Sequence, residues 1–189
     1  TSLHESLQPV VPLRLAPGGP TRQSSVQSAV ALAGTDLVAV HDAARPLVSS
    51  GLLERAAAAA ARSGAAIPAL PVSDTVKFTA EAGREIEATL PRGRIWLAQT
   101  PQVFRRRLLA DALEAAARGG LEATDCAGAV EAFVAAAGYR PESYGGCTGV
   151  TVVDGDAANF KVTYPGDLAR AEAVLAADSP CSAVRNLTE

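Results

Sequence analysis

The chain has 189 residues, is 48% hydrophobic and carries a formal net charge of -3 at pH 7. That is enough apolar material for one ordinary core, and an acidic balance without a basic stripe argues against a protein that grips nucleic acid by its phosphates. No run approaches the roughly 18 apolar residues that cross a bilayer, and Thr1-Ser2-Leu3-His4-Glu5 lacks a signal-peptide pattern, so a soluble protein with no membrane role is expected.

In chain order, Thr21 through Ser25 reads as a turn and N-cap for a helix running to Leu32. Leu37-Val38-Ala39-Val40-His41 is a short apolar run, a strand, and Ser50 is placed to cap a helix from Gly51 to about Arg62. Ala66 to Leu70 is a second strand, made less regular by Pro68 and Pro71. From Ser73 to Thr89 the composition turns to Thr, Glu and Lys around Ala82-Gly83, which predicts an exposed hairpin, an arm extending over about 73–94. Ile95 to Ala98 is strand-like, with Trp96 expected in the core. Helical spacing follows over Arg106 to Arg118 and Asp125 to Ala137, each closing at a Gly. Val150 to Val153 and Asn159 to Thr163 are extended, and Pro165 opens a last helix from Gly166 to about Ala177. Strands alternating with helices predict one α/β domain with a largely parallel sheet.

Fifteen of the 17 basic residues are Arg, so Lys77 and Lys161 stand out. Cys126, Cys147 and Cys181 are odd in number and far from any Cys-x-x-Cys pair, which fits a reduced cytosolic setting. The chain contains no Met and begins at Thr1, so residues are expected to precede it.

His41-Asp42-Ala43-Ala44-Arg45-Pro46 follows directly on a predicted strand. Ligands in open α/β sheets sit at strand carboxyl ends. Asp42 could there bind a ribose hydroxyl or a hydrated metal, Ala43 and Ala44 would let a ligand approach the backbone, and Arg45 could fork onto phosphate. The plainer alternative is a loop in which Asp42 and Arg45 pair.

Val40 to Pro46 resembles the signature of the 2-C-methyl-D-erythritol 4-phosphate cytidylyltransferases. In the same order as in that family come Gly18-Gly19-Pro20-Thr21-Arg22-Gln23-Ser24-Ser25-Val26, Asp74-Thr75-Val76-Lys77, Ala98-Gln99-Thr100-Pro101-Gln102, Thr124-Asp125, Asp154-Gly155 and Asn159-Phe160-Lys161-Val162-Thr163. The resemblance spans Gly18 to about Leu175 and implies a Rossmann-like nucleotidyltransferase fold with a mixed, mostly parallel sheet and an exposed β-arm. It also implies CTP and a polyol phosphate as substrates, Mg²⁺ as cofactor, and a bacterial-type cytoplasmic enzyme.

Carried over residue by residue, the resemblance puts cytosine at Gly19 and Ser25 and the nucleotide also against Asp42, Ala43 and Lys161. Lys161 would stabilise the α-phosphate as charge builds, and Asp42 would orient the ribose or the metal. Arg45, Thr75, Arg92, Thr100 and Thr124 would hold the acceptor, with Thr75 and Arg92 reaching the neighbouring subunit of a homodimer through the arm. Without the resemblance, Lys161 would be a surface lysine, Thr100 and Thr124 would be helix caps, and the arm residues would be solvated.

The family's Gly-rich loop and Pro-Lys pair have no counterpart here, and Leu7 to Pro17 would supply at most one irregular strand. The fold is therefore expected to be amino-terminally incomplete. Cys126 stands where the family often has an acidic residue, and Tyr144 to Thr151 makes a longer connection than usual. Three functions stay open: cytidylyl transfer to methylerythritol phosphate, the same transfer to ribitol 5-phosphate, and an inactive fragment or binding module. The chain by itself is expected to release no measurable pyrophosphate from CTP with Mg²⁺, because each well-placed donor lost costs about 10²- to 10³-fold. Comparable rates from this chain and from one bearing a family-type loop would overturn that expectation.

Overall fold

The computed structural model describes residues 13–81 and 83–178. Side chains of the turns set where its helices begin. Thr21 caps α1 (Arg22–Leu32): its hydroxyl accepts from the Ser24 amide, and the Ser24 side chain accepts from the Thr21 amide in return. β1 (Leu37–Val40) and a loop lead to α2 (Ser50–Ser63). Its cap is Ser49, one residue before the expected Ser50, because the Ser49 hydroxyl is the one that takes the Leu52 amide.

Gly64 ends α2 in the left-handed region, at φ 89°, and the chain passes straight into β2 (Ala65–Pro71). β2 is the centre of the sheet. On one edge it pairs antiparallel with β5 (Trp96–Ala98) and β6 (Gln102–Arg105), and on the other it pairs parallel with β7 (Thr151–Asp154). β1 pairs antiparallel with β6. β1, β2 and β7 therefore share one direction, and β5 and β6 run against them. The sheet is mixed, as expected, but its only parallel neighbours among the described strands are β2 and β7.

Period-two alternation sends side chains to both faces. Ala65, Ile67 and Phe104 pack beneath α1, α3 (Arg106–Arg118) and α4 (Cys126–Val134), whereas Ala66 and Val103 pack against the alanines of α2. The result is three layers with the sheet in the middle. α5 (Pro165–Asp178) begins at the expected proline.

Two expectations need correction, and one strand goes unassigned in the sequence. That strand is β6, whose buried Gln102 and terminal Arg105 break the apolar pattern. Asn159 to Thr163 joins no strand and runs as an irregular loop. Trp96 is 41% exposed, in a strand at the base of the arm whose three residues are all exposed. The arm forms as expected, from β3 (Val76–Thr79) and β4 (Ile86–Leu90) with a register shift between Phe78 and Thr79. Ala82, half of the expected turn, and residues 7–12 of the expected irregular strand lie outside the described residues.

The long connection before β7 is a plug. Tyr139 and Tyr144 stack with ring centroids 5.5 Å apart, and Phe133 meets both edge-on. The Tyr139 hydroxyl donates to the Cys147 carbonyl at 2.8 Å, and burial, with the Cys147 thiol beside it, pushes the phenol up to about 12. Cys147 is fully buried against Gly64, where a Cβ would come within 2.6 Å of the Cys147 Cβ. Gly64→Ala should thus cost about 1–3 kcal/mol from backbone strain, with the clash adding to it. Denaturant unfolding beside Gly34→Ala, whose Cβ would meet nothing within 4 Å, checks this; equal midpoints would refute it.

Candidate active site

The site forms where β1 ends. His41 anchors the turn with both ring nitrogens: Nε2 lies 3.0 Å from the Arg45 carbonyl and Nδ1 2.9 Å from the Thr100 hydroxyl. A carbonyl only accepts, so Nε2 carries the hydrogen, and a neutral ring takes the Thr100 hydroxyl hydrogen on Nδ1. The Thr100 oxygen also accepts the Asp42 amide at 3.0 Å. His41 and Thr100 are both committed to shaping the turn, and Thr100, 4% exposed, precedes β6 rather than a helix that it could cap.

The Asp42 carboxylate faces three cations. Arg22 Nη2 is 3.6 Å from Oδ1, Lys161 Nζ is 3.4 Å from Oδ2, and Arg45 Nε is 4.0 Å from Oδ2. All are longer than the roughly 2.7–2.9 Å of a close charged hydrogen bond. The cluster carries a net charge of +2, which favours an anion.

Lys161 is brought there by buried amides. Asn159, fully buried, donates from Nδ2 to the Thr100 carbonyl at 2.8 Å. Gln99, 4% exposed, donates to the Asp156 carbonyl and accepts the Asp156 amide. The Val162 amide bonds the Ala44 carbonyl at 2.8 Å, which ties the Lys161 segment to the Asp42 loop. Beyond it, Asp167 accepts the Thr163 and Tyr164 amides, and those bonds hold its carboxyl below the usual range. Arg170 lies 4.1 Å over the Phe160 ring, a cation–π contact between α5 and the same loop.

Arg45 has a side chain only 12% exposed, and its guanidinium donates to the Asn159 carbonyl at 2.7 Å and to the Ala98 carbonyl at 3.4 Å. Burial lowers its proton affinity, and Asp42 opposes that. It clamps the loop, with its Nη groups keeping hydrogens for a further acceptor.

Ser25, Asp42 and Ala43 line an open cavity of about 640 Å³ between α1 and β1, together with Arg22 and Val38. Gly19 lies at the start of α1, where its amide donates to Ser25 Oγ at 2.9 Å. A Cβ there would come within 2.7 Å of the Ser24 Cβ, so the capping turn itself requires this glycine. Thr124 is exposed, and the neighbouring Asp125 caps α4 instead. Thr75 and Arg92 stand exposed at the foot of the arm, where Arg92 donates to the Ser73 carbonyl; neither bonds to the Asp42 cluster within the chain.

The supporting residues that sequence reasoning missed are Arg22, Gln99 and Asn159, all of which fall inside the matched motifs. The signal was a pair of amide side chains beside short apolar strands, where only a buried partner satisfies them. A resident Mg²⁺ does not fit the described residues. Asp42 is a lone carboxylate ringed by cations, and no group of three His, Cys, Asp or Glu side chains among the described residues could hold a metal.

The α/β fold is shared with solved nucleotidyltransferases. The crystal structure of 2-C-methyl-D-erythritol 4-phosphate cytidylyltransferase from Thermus thermophilus superposes with a TM-score of 0.69 at 46% identity, over 83% of this chain and 70% of that one. The sequence profile of the family described as IspD, 2-C-methyl-D-erythritol 4-phosphate cytidylyltransferase, matches residues 2–177, and the chain belongs to that family. The bifunctional enzyme IspD/IspF of Anaeromyxobacter sp. strain Fw109-5 is 48% identical over 88% of this chain and 40% of its own length. The Thermus thermophilus cytidylyltransferase sequence is 46% identical over 83% of this chain and 67% of its own. The chain thus spans about two fifths of the bifunctional relative and two thirds of the single-function one.

Gln99→Leu would leave the Asp156 amide and carbonyl without their buried partner and is expected to cost about 1–3 kcal/mol. Amide hydrogen exchange should show faster opening at Asn159 and Val162 than in α3; unchanged exchange in that loop would refute the account.

Proposed function

We propose that this chain supplies the base-binding and acceptor-binding parts of an enzyme that transfers a cytidylyl group from CTP to 2-C-methyl-D-erythritol 4-phosphate, in isoprenoid precursor synthesis. One observation carries it: in a member of this family, Asp42, Lys161, Arg22 and Arg45 form a net positive cluster beside the cavity that Ser25 and Ala43 line. An acceptor phosphate oxygen attacks the α-phosphorus, a P–O bond forms, and the bond to pyrophosphate breaks. No protein nucleophile is needed, so positioning and charge carry catalysis.

Lys161 meets the charge that builds on the α-phosphate, and Asp42 orients the ribose. Ser25 and the Gly19 backbone contact the base, while Ala43 leaves room for the nucleotide. Arg45 and Thr124 face the acceptor, while Thr100 acts indirectly, by shaping the turn that presents Asp42. Mg²⁺ arrives as the CTP complex, as substrate rather than as a resident ion. Thr75 and Arg92 act on the acceptor of a second subunit, and exposed Phe78 and Ile86 on the arm, with Trp96 and Leu97 at its base, support a homodimer through it. No helix among the described residues is long and apolar enough to cross a membrane, and a cytoplasmic setting is part of the proposal.

In a full-length enzyme containing this chain, Lys161→Ala should lower kcat by about 10²- to 10³-fold without changing the thermal midpoint. Pyrophosphate release with CTP and either methylerythritol phosphate or ribitol 5-phosphate is the measurement. Near-normal turnover in the variant, or preference for ribitol phosphate, would overturn the assignment.

A further inference from the structure

The three cations around Asp42 differ in how firmly they are held. Arg45 is anchored on two backbone carbonyls and is nearly buried. Lys161 is the most exposed of the three, at 51%, and Asp42 is the only side-chain partner of its Nζ among the described residues. Arg22 lies between these cases. It is the first residue of α1, so its backbone is fixed by the Thr21 cap, and its Nη1 donates to the buried Cys126 Sγ at 3.6 Å.

Cys126 does not neutralise Arg22, because burial raises the thiol above its usual range and keeps it protonated. Asp125, the other nearby carboxylate, is bonded through both oxygens, to the Gln102 amide and the Gly128 N–H. Of the two carboxylates that attract Arg22, Asp42 acts more strongly and lies in ion-pair range, through the oxygen opposite to the one that Lys161 approaches.

We infer that Arg22 is a positioning residue of the phosphate site: it holds Asp42 on Oδ1 so that Lys161 can leave Oδ2 for an incoming phosphate. When Lys161 turns away, Asp42 keeps two guanidinium neighbours and is not left as an uncompensated, largely buried carboxylate. Without Arg22 the carboxylate leans on Lys161 and holds it back. Arg22 thus acts through Asp42, without needing to touch the anion. The inference rests on the reading that Lys161 meets phosphate.

The chain's two lysines make a direct test possible. After reductive methylation with carbon-13 formaldehyde, Lys161 and Lys77 give separate signals. Lys77, bonded to Thr89 on the arm, serves as the internal reference. Inorganic pyrophosphate is then titrated into the parent chain, Arg22→Ala, Asp42→Asn and the double variant, with circular dichroism following the fold. The Lys161 signal should move in the parent while Lys77 stays still, and Arg22→Ala should raise the half-saturating pyrophosphate concentration roughly tenfold. In the Asp42→Asn background, removing Arg22 should change it by less than about twofold, because the group through which Arg22 acts is gone.

A loss that persists in the Asp42→Asn background would mean that Arg22 touches the anion itself, and would overturn the inference. So would an unaffected Arg22→Ala. A Lys161 signal that ignores pyrophosphate in the parent would overturn both the phosphate reading and the inference resting on it. Should Arg22→Ala unfold, Arg22→Gln, which keeps donors toward Cys126 but loses the charge, is expected to give the same roughly tenfold weakening, and the same outcomes decide.

Discussion

A single carboxylate among three cations is the constraint on which the site depends. Asp42 sits at the end of β1, and each of its neighbours comes from a different part of the chain: α1, its own loop, and the segment after β7. Surface ion pairs are worth little, but here the carboxylate is only 22% exposed and would be costly to bury alone. The excess positive charge has the opposite consequence for a ligand. It leaves a site that gains by taking up an anion.

Keeping those charges together falls to neutral amides. Gln99, Gln102 and Asn159 are almost completely buried, and each bridges two strands, loops or caps that are distant in sequence. Gln102 joins β6 to the cap of α4, while Gln99 and Asn159 join the β5–β6 junction to the loop that presents Lys161. An unmade bond at any of these positions would be felt more than the bond itself contributes. That asymmetry fixes the framework from which the cations project. It also explains why the Lys161 segment needs no strand: its backbone is held by side chains and by the Ala44 carbonyl.

The core that carries this framework is built from small residues. Alanines line both sides of the contact between α2 and the sheet, so helix and strand approach closely, and Gly64 passes from one to the other where the Cys147 side chain leaves no room for a Cβ. The plug of Tyr139, Tyr144 and Phe133 closes the other face near the end of α4. The arm takes no part in this core. Phe78 and Ile86 on it are exposed, while Val76 and Leu90 are half-buried.

Helix positions, the exposed arm, the α/β alternation and the ordered motifs were legible in the sequence, because capping, turn chemistry and apolar spacing act over a few residues. Val40 to Pro46 and Asn159 to Thr163 also pointed to a site. What they could not convey was the partner of each polar group. Thr100 reads equally as a pocket residue or a cap, yet its hydroxyl is spent on His41 and Asp42. Trp96 reads as core, yet all three residues of β5 are exposed. β6 was hidden because a buried Gln looks like a loop residue until its hydrogen bonds to Asp125 and Ala127 are seen. Local periodicity thus determined the elements, while the charge balance around Asp42 and the roles of Gln99, Asn159 and Arg22 were decided only when segments some 20 to 140 residues apart were brought into hydrogen-bonding range.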